Sequence, residues 1–261
     1  MQPLIDAIES LLSSGLNITA LAVLALFCLL FVVFTGRAKR GRRFPVRAIS
    51  AYKSIQQLVS QSLESGQPIH VGMGSGRVGT EATPEALMGL TVFDYVARHV
   101  AAYDQSVLGT TGDGTILCAA QGVLQRARQE AGLAERYAGK ELRFYGPDPL
   151  VYAAGTAGAI TRDQHLANIL IGRFGHEGLW IGEATHGQDM VQLGGAAAPS
   201  AIALMQATLD ESVIGEEVFA AGAYLHRRSH LGSLATQDTM RVLAILAIIA
   251  SVVMASLGYL G

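Results

Sequence analysis

The sequence predicts an α/β fold in which a mostly parallel sheet of about four strand–loop–helix units is carried between two transmembrane helices. Three observations predict it. Two uncharged apolar runs lie one toward each end of the chain. Between them, short apolar segments closing on glycine recur about every 37 residues, and helix-start signals follow them.

The apolar runs come first. Residues 18–36 (ITALAVLALFCLLFVVFTG) and 242–261 (VLAILAIIASVVMASLGYLG) carry no charged side chain. Nineteen helical residues extend about 28 Å, which suits the hydrocarbon core of a bilayer. Asp6 and Glu9 precede the first run, and Arg37, Lys39, Arg40, Arg42, Arg43 and Arg47 follow it. Arg227, Arg228 and Arg241 precede the second. Both basic flanks belong to the middle segment, so the positive-inside rule places that segment in the cytoplasm and both termini outside. A cleaved signal peptide would want a basic start and a small-residue cleavage site, so an uncleaved anchor in an inner membrane is expected. The basic cluster also suits anionic lipid headgroups.

Residues 2–14 place Leu4, Ile5, Ile8, Leu11 and Leu12 at helical spacing, as in an amphipathic helix on the outer membrane face or against a neighbouring subunit. Past Pro45, residues 46–64 carry Ile49, Tyr52, Ile55, Leu58, Val59 and Leu63 on one face, with Gly66 and Pro68 closing the helix. Four strands are then expected, ending at Gly74, Thr111, Gly146 and Gly182. The last is Leu179–Gly182, with Trp180 in the core. Thr83-Pro84-Glu85, Asp113 and Asp148-Pro149 mark helix starts. From Val151 small residues dominate (Ala153–Ala159, Gly194–Ala198, Ala220–Ala223), which suits close helix packing within the domain or between subunits. Pro199 is expected to end or kink a helix. A last helix is expected over 211–227.

The expected organisation is an extracytoplasmic amphipathic segment (1–17), a transmembrane helix (18–36), a basic flank and stalk helix (37–66) and a cytoplasmic α/β domain (67–210). A second stalk helix (211–241) and a second transmembrane helix (242–261) follow.

A net charge of -2 gives no footing for nucleic acid, so the bilayer and a homo-oligomer or membrane complex are the expected partners. Cys28 and Cys118 are the only cysteines, which excludes a disulfide framework or a cysteine zinc site. His165, His176, His226 and His230 form no convincing metal set, and the sequence does not specify a cofactor.

In open α/β sheets ligands sit beyond the carboxyl ends of the strands. The first loop there, Gly72–Thr80, contains G-x-G-x-x-G as Gly74, Gly76 and Gly79, which makes the expected fold Rossmann-like. Its helix begins late, at Pro84, and Thr110 and Thr111 stand where a ribose-binding acid belongs. The candidate ligand-binding residues are Gly74, Ser75, Gly76, Arg77, Gly79, Thr80, Thr110 and Thr111, as a cradle for an anion or phosphate; a wide turn needing positive φ is the alternative. Asp113, Asp148, Glu183 and His186 would gather at the same edge, where acids can hold Mg²⁺ or work with a histidine as acid and base. Asp113 and Asp148 also serve as helix caps. Asp113, Glu183 and His186 remain the catalytic candidates. No nucleophile elbow, H-E-x-x-H or Walker A pattern occurs.

The segment HVGMGSGRVGTEATPEALMGL, followed by SVLGTTGDGT and the terminal spans, resembles a family of bacterial two-span membrane proteins known only as a domain of unknown function. The likeness covers nearly the whole chain. It implies this architecture and no activity. The function expected is therefore an oligomeric, membrane-anchored scaffold or ligand-sensing protein. The alternative is an enzyme for a nucleotide or other phosphorylated small molecule. A channel or transporter subunit is weaker, since the spans carry no charge to line a pathway.

Overall fold

The computed structural model describes residues 18–40, 47–136, 139–225 and 231–256. The amphipathic segment 1–17, Arg42, Arg43, Arg227, Arg228, His226, His230 and the last residues of the second run lie outside them. The described residues of 48–226 form one compact unit, and those of the two terminal segments form another.

In the terminal unit, α1 (Ile18–Lys39) contains an apolar window, Ala20–Ala38, of mean hydropathy 2.3. The other described helix of that unit (Leu231–Ser256, labelled α9 in chain order) contains Gly232–Ser256, of mean hydropathy 2.1. Both are long and apolar enough to cross a membrane. They touch at Gly232, where a Cβ would lie 2.7 Å from Thr35 Cα. The second helix runs unbroken through Asp238 and Arg241, so the expected change from stalk to span at 242 is not a break in the helix. A change of solvent alters side chains and not the backbone ladder.

The larger unit begins with α2 (Ser50–Ser65), ended by Gly66 at φ 75°. It was expected as a stalk, yet Tyr52, Ile55, Leu58 and Val59 are buried against the rest of the domain. Next come β1 (Ile69–Gly74), α3 (Thr83–Ala101), β2 (Val107–Thr111), α4 (Gly114–Glu130), β3 (Leu142–Phe144) and α5 (Pro149–Arg162). These follow the expected rhythm. Then the pattern departs from it. The chain forms β4 (Ala167–Arg173), α6 (Glu177–Thr185), β5 (Val191–Ala196), α7 (Pro199–Met205), β6 (Glu211–Ile214), a 3-10 turn (Gly215–Ala220) and α8 (Ala221–Leu225).

Five expectations are corrected here. Leu179–Gly182 lies inside a helix, and the fourth strand is the earlier run Ala167–Arg173. A short apolar run reads alike in a buried strand and a buried helix. Trp180 is therefore on a helix and 41% exposed. The run Gly194-Gly195-Ala196 is strand and not a helix contact: a Cβ on Gly194 would meet Leu170 O at 2.6 Å, and one on Gly195 would strike Val213 O. Residues 211–214 are a strand, and Pro199 starts a helix where it was expected to end one.

All six strands are parallel, in the order β3-β2-β1-β4-β5-β6. This is the doubly wound Rossmann order, built from two βαβαβ halves. The chain reverses direction across the sheet between β1 and β4, so their carboxyl ends flank the switch point. Every residue of β1 is buried, and β4 is buried from Ala167 to Gly172. Strands covered on both faces become continuous apolar runs. Helices pack on them through Phe93, Val96, Ile116, Leu124, Tyr152 and Ile181, all buried.

Candidate functional site

Strand β1 delivers Gly74 to the switch point with φ 79°, and β4 delivers Arg173 beside it. The two loops are stitched together. Ser75 N–H donates to Arg173 O at 3.2 Å, and Gly112 N–H after β2 donates to Gly74 O at 3.0 Å. A Cβ on Gly74 would run into Arg173 O, and one on Gly76 into Arg173 Cβ. Glycine is required here because backbone meets backbone, with no bound group needed to explain it.

The rest of the glycine loop satisfies itself. Thr80 Oγ1 donates to Arg77 O at 2.7 Å and accepts from Ala82 N–H at 3.2 Å. Thr83 Oγ1 donates to Thr80 O at 2.7 Å and accepts from Gly79 N–H at 2.9 Å. Gly79, at φ 90°, is the turn of this loop, and the side chain of Arg77 is exposed. In a dinucleotide fingerprint the third glycine brings helix and strand together. Here Gly89 does so, its Cβ position meeting Ile171 O and lying 3.0 Å from Met73 Cα.

Around the crevice stand an arginine and three acids. Ser75 Oγ donates to Glu177 Oε1 at 2.7 Å, and Glu177 is buried at the start of α6. Glu85, in the first turn of α3, accepts from Arg173 at 3.2 Å; Glu81 lies 3.7 Å from the same guanidinium. Burial raises the pKa of Glu85, and Arg173 opposes the rise. Glu81 and Glu85 on Arg173, with Glu177 held by Ser75 close by, disfavour an incoming phosphate at this spot.

Beneath the loop runs a buried polar chain. The register pairs His70 with Asn168 on β4 and with Leu108 on β2, so Thr110, two residues beyond Leu108, shares that face. His70 Nδ1 donates to Asn168 Oδ1 at 2.8 Å, because an amide oxygen only accepts. Nε2 then accepts from the Thr110 hydroxyl at 2.9 Å, which lies 3.2 Å from the Tyr152 hydroxyl. Tyr152 in turn accepts from Gly74 N–H at 3.2 Å. Desolvation lowers the His70 pKa to about 3, partly offset by its bond to Asn168, so the ring is neutral near pH 7. Burial pushes the Tyr152 phenol up to about 12.

The remaining candidates divide by edge. Thr111 Oγ1 accepts from Asp113 N–H at 3.2 Å. Asp113 caps α4 through Thr115 and Ile116 N–H, both at 3.0 Å, and Asp148 caps α5 through Leu150 and Val151 N–H. These residues do stand at the carboxyl edge. Glu183 and His186 do not. They close α6, which runs back antiparallel to β4, and Thr185 between them hydrogen-bonds Gln192 near the start of β5. The expected meeting of Asp113, Asp148, Glu183 and His186 is thus overturned by the misplaced strand. Among the described residues no group of three or more His, Cys, Asp or Glu is placed to hold a metal ion.

Sequence reasoning missed His70, Tyr152, Arg173, Glu85 and Glu177. A histidine inside an otherwise apolar strand was the one available signal, and Arg173 and Glu177 followed a strand that had not been recognised.

A family model described as a domain of unknown function (DUF6754) matches residues 10–260. The chain belongs to the DUF6754 family. No curated protein and no solved structure matches it. For this DUF6754 chain the family supplies no activity, and chemistry has to be judged from the edge itself. Ser75 and Glu177 make a hydroxyl–carboxylate pair able to orient a polar group. The other polar candidates, Thr80, Thr110, Thr111, Asp113 and Asp148, already serve the fold.

Proposed function

We propose that this protein is a membrane-anchored, oligomeric scaffold or ligand-sensing protein whose Rossmann-like domain lies on the cytoplasmic side of an inner membrane, with both chain ends outside. One observation carries the non-catalytic part. At the edge where doubly wound sheets bind ligands, Thr80, Thr110, Thr111, Asp113 and Asp148 spend their side chains on turns, the buried chain and helix caps. The two long apolar helices support the anchor. Arg37, Lys39, Arg40 and Arg47 support the orientation.

Cys118 is exposed on α4 and serves as a native reporter. With Cys28→Ser removing the other thiol, a membrane-impermeant maleimide should label Cys118 only after cells are opened. Labelling of intact cells would reverse the orientation. Mass photometry of detergent-solubilised protein should give a defined multimer, and a monomer at micromolar concentration would sink the scaffold reading.

The second reading, an enzyme for a nucleotide or other phosphorylated small molecule, keeps two observations in its favour. Gly74, Gly76 and Gly79 follow β1 of a Rossmann-ordered sheet, and Arg77 is exposed beside them. Thermal shift with NAD, NADP and ATP decides between them. A shift abolished by Arg77→Ala would favour the enzyme.

A further inference from the structure

The two membrane-length helices meet near one end of each. Gly232, at the start of α9, lies against Thr35 near the end of α1, where a Cβ would fall 2.7 Å from Thr35 Cα. Thr35 stands just before Arg37, the first residue of the basic flank. That contact sets the depth of α9. In the reading of both helices as membrane spans, on which this inference rests, α9 runs back through the bilayer from Gly232. Asp238 then lies about 9 Å and Arg241 about 13 Å along the helix from the contact, inside a hydrocarbon core of about 30 Å. The apolar window Gly232–Ser256 contains both. Sequence alone leaves Arg241 on the flank of a span beginning at 242; the helix contact moves it inside.

These charges stand on the side of α9 away from α1. Gly232 and Thr236 are buried on the α1 side, and the Thr236 and Thr239 hydroxyls donate to Gly232 O at 2.9 Å and Ala235 O at 2.7 Å of their own helix. Arg241 lies about half a turn round the helix from Gly232, and Asp238 about half a turn from Thr236. Gln237, one turn before Arg241, shares its face. Gln237 and Asp238 have no side-chain partner among the described residues. Arg241 is not free of interactions within the chain, yet it remains exposed, as does Gln237.

Polar and charged side chains at this depth face protein and pair with one another. The face carries one charge of each sign, a turn apart. A second copy in the same membrane brings the same two charges to the same depth, so each aspartate can meet the other copy's arginine. Residues 1–17 offer only the acids Asp6 and Glu9 as charged side chains, which suit Arg241 and repel Asp238. We propose that copies of this chain associate inside the membrane through the Gln237–Asp238–Arg241 face of α9, with Asp238 of each copy paired to Arg241 of the other.

The test is cysteine cross-linking of the full chain in native membranes. In a Cys28→Ser/Cys118→Ser background, oxidation with copper phenanthroline should join copies carrying Gln237→Cys and leave those carrying Thr236→Cys single. Mass photometry after solubilisation should show the multimer lost in Asp238→Arg and in Arg241→Asp, and regained when the two are combined. If a single inversion fails to insert, the Gln237→Cys cross-link carries the test. Gln237→Cys copies that stay single, or a multimer that survives both inversions, would overturn this interface and leave the anchor standing. Release of the wild-type chain from membranes by alkaline carbonate would instead sink the anchor reading, and this interface with it.

Discussion

Tyr52 stacks on Tyr224, with ring centroids 5.4 Å apart and planes 14° from parallel. One residue opens the larger unit and the other closes it, so the two chain ends of that unit are clasped together. The Tyr52 hydroxyl donates to Glu217 O at 2.8 Å and Val218 O at 3.0 Å, and burial raises its pKa, which keeps the phenol protonated. Tyr52→Phe keeps the stack and strands two carbonyls. A loss of about 1–3 kcal/mol is expected. Tyr52→Ala also opens a cavity and should cost about 3–5 kcal/mol. Thermal melts of the full chain in detergent should rank wild type, Phe and Ala in that order; an unchanged Phe variant would refute the bonds.

Ser75 and Glu177 join the two sides of the switch point. Ser75→Ala leaves the buried Glu177 with no side-chain donor among the described residues, at about 1–3 kcal/mol. Glu177→Gln in the same background should recover part of that loss, because a neutral amide is easier to bury than an unpaired carboxylate. Additive effects in this double-mutant cycle would mean that the 2.7 Å bond carries no coupling.

His70 sets a pH dependence. Its folded pKa, about 3, lies below its unfolded value of 6.5. The unfolded chain therefore binds the extra proton first, between those two values. The contribution of His70 is complete above about pH 6.5 and is lost as pH falls toward 3, at up to about 1.4 kcal/mol per pH unit. Urea denaturation between pH 7 and 5 should show the slope, and His70→Gln should flatten it. An identical slope in the variant would place the titration elsewhere.

Gly74 and Gly79 have similar φ values and different surroundings. At Gly74 a Cβ meets Arg173 backbone, whereas at Gly79 it meets open space. Gly79→Ala should cost about 1–2 kcal/mol for the left-handed backbone alone. Gly74→Ala should cost clearly more and displace the β4 end. Equal melting shifts would show that sterics at Gly74 add nothing.

The first half of the domain was legible because its signals are local. Asp113 and Asp148 cap helices through their own next residues, Pro84 and Pro149 sit in first turns, and Gly66 and Gly79 mark turns of positive φ. The second half was not legible. Ala167–Arg173 and Leu179–Gly182 are both short apolar runs, and burial makes both so, whether the backbone is strand or helix. The ~37-residue rhythm favoured the wrong one, and that error carried Glu183 and His186 to the wrong edge.

By itself, then, the sequence determined the two apolar helices, the basic flanks, the α/β class and the helix starts, because each is written in neighbouring residues. Only the tertiary structure decided the six-strand order, the clasp of Tyr52 on Tyr224, and the chain from Asn168 through His70 to Tyr152. Those depend on strand pairing and register between residues far apart in the chain, where a partner is chosen by the whole sheet.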